Sequence, residues 1–368
     1  MYTYTEIEQY WIWLTCVEGI GAKRFYQLLT IFGDPRTVWD NVDAPEMRFL
    51  GQRTWANLRK ARSPEMLGPL FEHLEKTGCR AIPRISDAYP PLLNEIYDPP
   101  ATLFQRGVCP LDDPRMFAIV GSRRCTRDGS RAGRDIAEQL ALEGVTVVSG
   151  MARGIDTSAH QGAISGGGRT IAVLGCGTNI IYPPENDRLA LEILEGGGCL
   201  LSEYPPDTQP LAGHFPARNR IISGLCKGVL LIEGAKGSGA MITIRQAADQ
   251  SRDVFAVPGS IYSSLSAMPN QLIVEGAFPV LSAWDILEHY RWAERPSEKP
   301  SARLVPDLDE NEKKIVDQIR NETMSFEELS ERTEIPPPQL NSYLTILELR
   351  GIIVKVPGGM YRAYQDTI

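Results

Sequence analysis

The segment MFAIVGSRRCTRDGSRAGRDIAEQLALEGVTVVSG, Met116–Gly150, decides the fold. Two apolar runs, Met116–Val120, which is unbroken, and Val145–Val148, interrupted only by Thr146, each end in small residues, and the stretch between them carries a helical pattern. A strand that is apolar at every position is covered on both faces, which is the condition of a parallel strand in an α/β sheet. Outward from this unit the same texture recurs in TIAVLGCGT, GCLLSEYP, GVLLIEGAKGSGA and DVFAVPGS. Strands alternating with helices predict a doubly wound α/β domain over residues 115–290. In such sheets ligands bind outside the carboxyl ends of the strands, and the unusual residues of this chain stand at those ends.

The flanks read differently. Residues 1–114 carry amphipathic helical runs and a connector, and VEGIGAKRFYQLL resembles a helix-hairpin-helix element. Its Gly-Ile-Gly turn either offers backbone N–H groups to a phosphate or is a tight turn inside a small bundle. RTWANLRKAR nearby reads as a solvated basic helix face. Residues 291–308 are rich in proline and charge and form a linker. Over 309–368 three helical patterns and a hairpin turning at Pro357-Gly358-Gly359 predict a winged helix. Its candidate recognition helix, PPPQLNSYLTILELRG, carries one basic residue, Arg350, which favours protein contact over reading of duplex DNA.

At 368 residues, 43% hydrophobic and 23% charged, the chain suits two or three globular domains. The amino terminus lacks a basic signal or transit pattern, and no apolar run approaches a membrane span. The seven cysteines are odd in number and never form CxxC, so neither a disulfide framework nor a zinc site is expected, and a reducing cytoplasm is. The formal charge of -8 is unevenly made: residues 115–285 hold 15 basic and 16 acidic residues, and 13 of the basic ones are arginine. Arginine's planar fork suits bidentate phosphate contacts. An anion site here is therefore local, built from a few placed arginines and backbone amides.

Four loops qualify. Gly121-Ser122-Arg123 follows the first strand and opens a helix. Ser149-Gly150-Met151-Ala152-Arg153-Gly154 follows the second, with Asp156 read as a structural acceptor, or the N-cap of the next helix, rather than as a base oriented by His160. FPARNRIISGL places Phe215 before Arg218, Asn219 and Arg220, a stacking face beside two guanidiniums. The competing reading for either arginine is an ion pair with Glu203 or Glu233. Lys236-Gly237-Ser238-Gly239 completes the set. Neither GxGxxG nor a Walker lysine is present, so dinucleotide binding and P-loop hydrolysis are disfavoured. One nucleotide needs one or two such loops; four suggest successive phosphates of a strand.

The blocks AIVGSR, VVSGMARGIDTSAHQGAI, GGGRTIAVLGCGTNIIYPPEN, LLSEYPP, FPARNRIISGL, EGAKGSGAMIT, VFAVPGS and NQLIVEGA resemble the DNA-processing protein A family, DprA or Smf, over about residues 115–280. The resemblance implies an extended Rossmann-like domain, flanked by a sterile-alpha-motif-like helical domain and a winged helix. It implies a protein of the cytoplasm that is a binder rather than an enzyme, with no cofactor or metal. Such a protein holds single-stranded DNA during natural transformation, loads RecA recombinase in the presence of single-strand-binding protein, and dimerises through the Rossmann-like domain. By motif position the phosphate-pocket role carries to Gly121, Ser122 and Arg123, to Ser149, Gly150 and Arg153, to Arg218, Asn219 and Arg220, and to Lys236 through Gly239. The chain departs from the pattern at Asp128, Met268 and Ala240, where tyrosine, glycine and serine are common. Two other readings remain: a nucleoside monophosphate phosphoribohydrolase, whose PGGxGTxxE is not matched at Pro258-Gly259-Ser260, and a duplex-DNA regulator acting through the winged helix. Arg123→Ala and Arg218→Ala are both expected to weaken binding with the fold intact.

Overall fold

The computed structural model describes residues 2–295, 308–320, 322–356 and 358–363. It divides into two units at residue 295. The predicted linker falls largely on residues 296–307, outside the described residues, as does Pro357 of the predicted hairpin turn.

The amino-terminal helices are α1 (Glu6–Cys16), α2 (Ala22–Phe32), α3 (Pro35–Asp40), α4 (Gln52–Ala61) and α5 (Pro64–Lys76). They close around a tryptophan-rich core of Trp11, Trp13 and Trp39 with Phe25 and Leu28. The predicted helix-hairpin-helix is α1 and α2, with Gly19 at φ +94 in the turn and backed by Thr54. The nearby basic run is largely neutralised: Arg53 pairs with Glu18 at 2.6 Å, and Arg59 pairs with Asp43 at 2.7 Å while lying over Trp55.

The sheet starts earlier than its sequence texture does. Strands β1 (Cys79–Pro83) and β2 (Thr102–Gly107), separated by the short α6 (Pro91–Asn94), pair antiparallel with each other, and β2 pairs antiparallel with β6 (Cys199–Ser202). The α/β domain therefore begins at Cys79, not at 115. Its parallel part runs β3 (Met116–Val120), α7 (Arg127–Leu142), β4 (Thr146–Ser149), α8 (Ile155–Ser165), β5 (Thr170–Val173), α9 (Asp187–Glu195), β6, α10 (His214–Gly224), β7 (Gly228–Leu231), α11 (Ala240–Asp249), β8 (Asp253–Ala256), α12 (Ala267–Val274), β9 (Phe278–Pro279) and α13 (Ala283–His289). The order across the nine-stranded sheet is β1-β2-β6-β5-β4-β3-β7-β8-β9.

Every residue of β3 is buried, and its two faces serve two cores. Phe117 and Ile119 pack with α7, α8 and α13, while Ala118 and Val120 pack with α10 and α11. This double burial is what the unbroken apolar run anticipates. The chain winds from β3 outward to β6, then returns past β3 to β7 and on to β9. The strand order thus reverses between β3 and β7, and the crevice beyond their carboxyl ends is the fold's natural ligand position.

The second unit contains α14 (Glu310–Gln318), β10 (Met324–Ser325), α15 (Phe326–Thr333), α16 (Pro337–Leu349), β11 (Ile353–Val356) and β12 (Met360–Ala363), with strand order β10-β12-β11. Three helices and this small sheet form the predicted winged helix. Among the described residues no helix is long and apolar enough to cross a membrane, no group of histidine, cysteine and acidic side chains is arranged to hold a metal, and all seven cysteines are free.

Candidate nucleic-acid interface

A cleft of about 720 Å³ opens where the strand order reverses. Its lining combines the loop after β3, the loop after β4, the start of α10 and the loop into α11. Gly121, Ser122, Arg123, Phe215, Arg218, Asn219, Ser238 and Gly239 meet there, drawn from segments far apart in sequence.

The walls are built from hydrogen bonds that hold each loop in place. Thr126 caps α7, and both its backbone N–H and its hydroxyl donate to the buried Glu233 at the end of β7, at 2.9 and 2.6 Å. Glu233 thus fastens the loop after β3 and pairs with neither arginine of α10. The loop after β4 turns at Gly154, φ +77, where a Cβ would run into the Ser122 carbonyl. Ile155 N–H donates to that same oxygen at 3.2 Å. Asp156, in the first turn of α8, accepts from the N–H groups of Gly150 and Ala152 at 3.2 and 3.3 Å. It is the structural acceptor expected, although Gly154 holds the N-cap position.

Arg218 lies on the floor, 3% exposed, and donates from Nη1 to the Gly150 carbonyl at 2.8 Å. A Cβ at Gly150 would stand 2.8 Å from both Arg218 Nη2 and Asp156 Oδ2, so only glycine lets the two charged groups flank the loop. Burial pushes the Asp156 carboxyl up to about 6 against the pull of Arg218, and burial lowers the Arg218 guanidinium to about 10. His160 is fully buried, its Nδ1 is 2.7 Å from Thr170 Oγ1, and Met151 N–H donates to its Nε2. Burial brings it down to about 3, so it stays neutral. Asp156 and His160 do not form a base with its orienter.

At the mouth Arg123 is exposed, with its guanidinium 6.0 Å above the Phe215 ring. Tyr182, 41% exposed, leans on Phe215 at 5.4 Å. Asn219 Nδ2 donates to the Gly239 carbonyl at 3.4 Å and links α10 to the glycine-rich loop. The buried Ser238 hydroxyl on the lining has no hydrogen-bond partner among the described residues.

Several expectations need correction. Arg220, two residues from Arg218, lies on another side of α10. Its guanidinium bonds Glu203 at 2.6 and 3.0 Å and Asp98 at 2.9 Å, so no fork is left for a phosphate. Its role is to tie the segment before β2 to the sheet. Ser149 is fully buried and donates to the Ile119 carbonyl of β3 at 2.7 Å, which takes it out of the contact set. Gly150 acts from behind, through its carbonyl. Arg153 is exposed but points to Glu185, at 2.6 Å, and does not line the cleft. Lys236 and Gly237 stand exposed on their loop, beyond the lining. Asp128 sits in the first turn of α7, also beyond it. Arg124 and Tyr182 line the cleft although sequence reasoning passed over them. Arg124 directly follows Arg123 in the same loop, which was the available signal.

In the winged helix, Arg350 Nη1 donates to Glu312 at 3.0 Å, and Glu312 also accepts from Asp309 N–H in the capping box of α14. Arg350 therefore fastens α16 to α14. The exposed positions Ser342, Thr345, Ile346, Glu348 and Leu349 give α16 no further cation.

A family model described as DNA recombination-mediator protein A matches residues 80–291, and a DprA winged helix domain model matches residues 299–359. The first begins at the observed start of the sheet. Protein Smf of Escherichia coli K12 is 42% identical over 302 residues, covering 78% of this chain and 79% of that protein. DNA processing protein DprA of Streptococcus pneumoniae is 45% identical over 208 residues, 56% of this chain and 73% of that one. The X-ray structure of DNA processing protein A from S. pneumoniae aligns with TM-score 0.64 at 37% identity, over 77% of this chain and 98% of that one. A DNA processing protein A from Helicobacter pylori, solved for its single-stranded DNA binding mode, aligns with TM-score 0.52 at 29% identity, over 58% and 95%.

Proposed function

The chain belongs to the DNA recombination-mediator protein A family, DprA or Smf, and from this premise we propose that it binds single-stranded DNA without regard to sequence. The observation that carries the reading is the cleft at the reversal of strand order. It presents a buried arginine on its floor, exposed arginines and an aromatic ring at its mouth, and an unpartnered hydroxyl on its wall. Arginine forks and N–H groups hold phosphates, and an aromatic face accepts any base, so affinity follows the backbone and stacking rather than base identity. The H. pylori relative's single-stranded DNA binding mode supports the same assignment.

The wider role is read from the family resemblance. The protein shields incoming single strands in the cytoplasm during transformation and recombination, and loads RecA in the presence of single-strand-binding protein. It works as a homodimer and is not an enzyme. The wiring of Asp156 and His160 into separate structural bonds agrees with a binding role. The test is anisotropy of labelled oligo-dT against a matched duplex, beside a base-release assay on a panel of nucleoside monophosphates. Tight single-strand binding, weaker duplex binding and no released base are expected. Base release with weak strand binding would overturn the reading.

A further inference from the structure

Beside the cleft stands a feature that neither the cleft lining nor the core uses. Ile261 and Tyr262 follow β8 at 82% and 93% exposure, adjacent in the chain. Large apolar side chains held together in water mark a contact surface. Their loop is tied down rather than loose. Gly259 exchanges two hydrogen bonds with the Asn270 side chain, at 3.1 and 3.0 Å. The Leu265 carbonyl accepts from Gly234 N–H at 2.7 Å, and Met268 N–H donates to the Gly234 carbonyl at 3.2 Å. Within the loop, Ser263 N–H closes a turn on the Ser260 carbonyl at 3.0 Å.

These bonds fix where the pair stands. Gly234 begins the segment that carries Lys236 to Gly239, and Leu265 itself lines the cleft. The pair is thus presented on the loop that continues one cleft wall, next to the loop bearing the exposed Lys236. No charged residue lies between Asp253 and Glu275, so nothing on this segment repels a phosphate backbone. An aromatic ring and an aliphatic side chain on a tethered loop, continuous with an arginine-lined cleft, suit a nucleobase, because every base has a π face and an exposed ring can stack on it whatever its identity.

We propose that Ile261 and Tyr262 form a second stacking platform, which takes a base of the strand after it leaves the cleft. This rests on the single-strand reading above and extends its path. The platform adds affinity only for oligonucleotides long enough to reach it, and it touches bases, not phosphates.

The experiment compares wild type, Tyr262→Ala and Tyr262→Phe in anisotropy on oligo-dT of increasing length and across a salt series, with hydrodynamic size measured in parallel. Tyr262→Ala should weaken binding to long oligonucleotides about tenfold and leave the shortest bound ones unchanged. Its salt slope should match that of wild type, and Tyr262→Phe should restore affinity. Abasic positions in the emerging part of the strand should erase the difference between wild type and Tyr262→Ala. Equal affinities at every length would overturn the platform while leaving the cleft reading intact. A loss of the same factor at every length, or a change of oligomeric size without a length-dependent loss, would also overturn it, in favour of a cleft-supporting or protein-contact role. Wild-type protein that binds no oligonucleotide would overturn both readings.

Discussion

The cleft and the winged helix are both architectures that can hold nucleic acid, and they spend their arginines in opposite ways. At the cleft, Arg123 stands exposed over Phe215, and Arg218 is held at the floor by the Gly150 carbonyl and the Asn219 side chain, with no carboxylate bonded to it among the described residues. On the winged helix, Arg350 is bonded to a glutamate that also caps α14. Exposed cations of that unit, among them Lys313, Lys314, Arg320, Lys355 and Arg362, lie outside α16, so the helix that would read a groove supplies little of the electrostatic term that dominates such affinity. The same contrast recurs within α10, where Arg218 faces the cleft and Arg220 is locked between Glu203 and Asp98. Fold and residue type therefore nominate a site, but the partner each side chain has already taken decides it.

The largest expected effect separates the two arginines of α10. Arg218→Ala leaves the Gly150 carbonyl without its donor and Asp156 without its counter-charge, and should cost roughly 3 kcal/mol of stability. It should also abolish strand binding under conditions where the variant remains folded. The expectation of an intact fold is thus revised by the burial of Arg218. Arg220→Met should lower the melting temperature too, yet leave the salt slope of binding unchanged, since no phosphate contact is lost. A reduced slope in Arg220→Met would break the distinction.

Next comes Phe215→Ala, which removes the stacking face beneath Arg123. Affinity for oligo-dT should fall about tenfold with the salt slope retained, as read by anisotropy.

A smaller effect follows from Asp156. Its folded pKa, about 6, lies above the ordinary carboxylate value, so between those values the folded chain holds more protons than the unfolded chain. The stability this contributes is present at low pH and is lost as pH rises through 6. A phosphate bound beside Arg218 raises that pKa further. Binding should therefore take up protons and strengthen about threefold from pH 7.5 to 5.5. Asp156→Asn, which keeps every histidine, should lose that gain. An unchanged pH profile in the variant would place the titrating group elsewhere.

The smallest effect belongs to the winged helix. Arg350→Ala should shift strand and duplex affinity by less than about twofold, while costing about 1 kcal/mol of that unit's stability. A large loss on duplex would restore the groove-reading role to α16.

Much of this was legible in the sequence because buried parallel strands leave unbroken apolar runs, and the loops at their ends leave glycine, serine and arginine. The loop after β3, Phe215 and Arg218 were found in that way. The first two strands were not, because Cys79–Pro83 and Thr102–Gly107 are broken by Arg80, Gln105 and Arg106 and sit at the antiparallel edge, where the apolar texture is not required. The pairing of one arginine with Glu203 was raised from the sequence, but local pattern could not assign it to Arg220, whose second partner, Asp98, arrives from the segment before β2. Ser149 looked like a strand-end donor, but its hydroxyl was claimed by the neighbouring strand. In each case a contact distant in sequence made the assignment.

The central claim is that this cleft holds DNA phosphates, and Arg123 tests it most directly because it is exposed and its loss leaves the floor intact. The measurement is the dependence of oligo-dT affinity on salt for wild type and Arg123→Ala. A loss of several-fold in affinity, with a logarithmic slope shallower by about 0.7, is the predicted result. An identical slope and affinity in a folded variant would mean that the cleft mouth does not touch the strand.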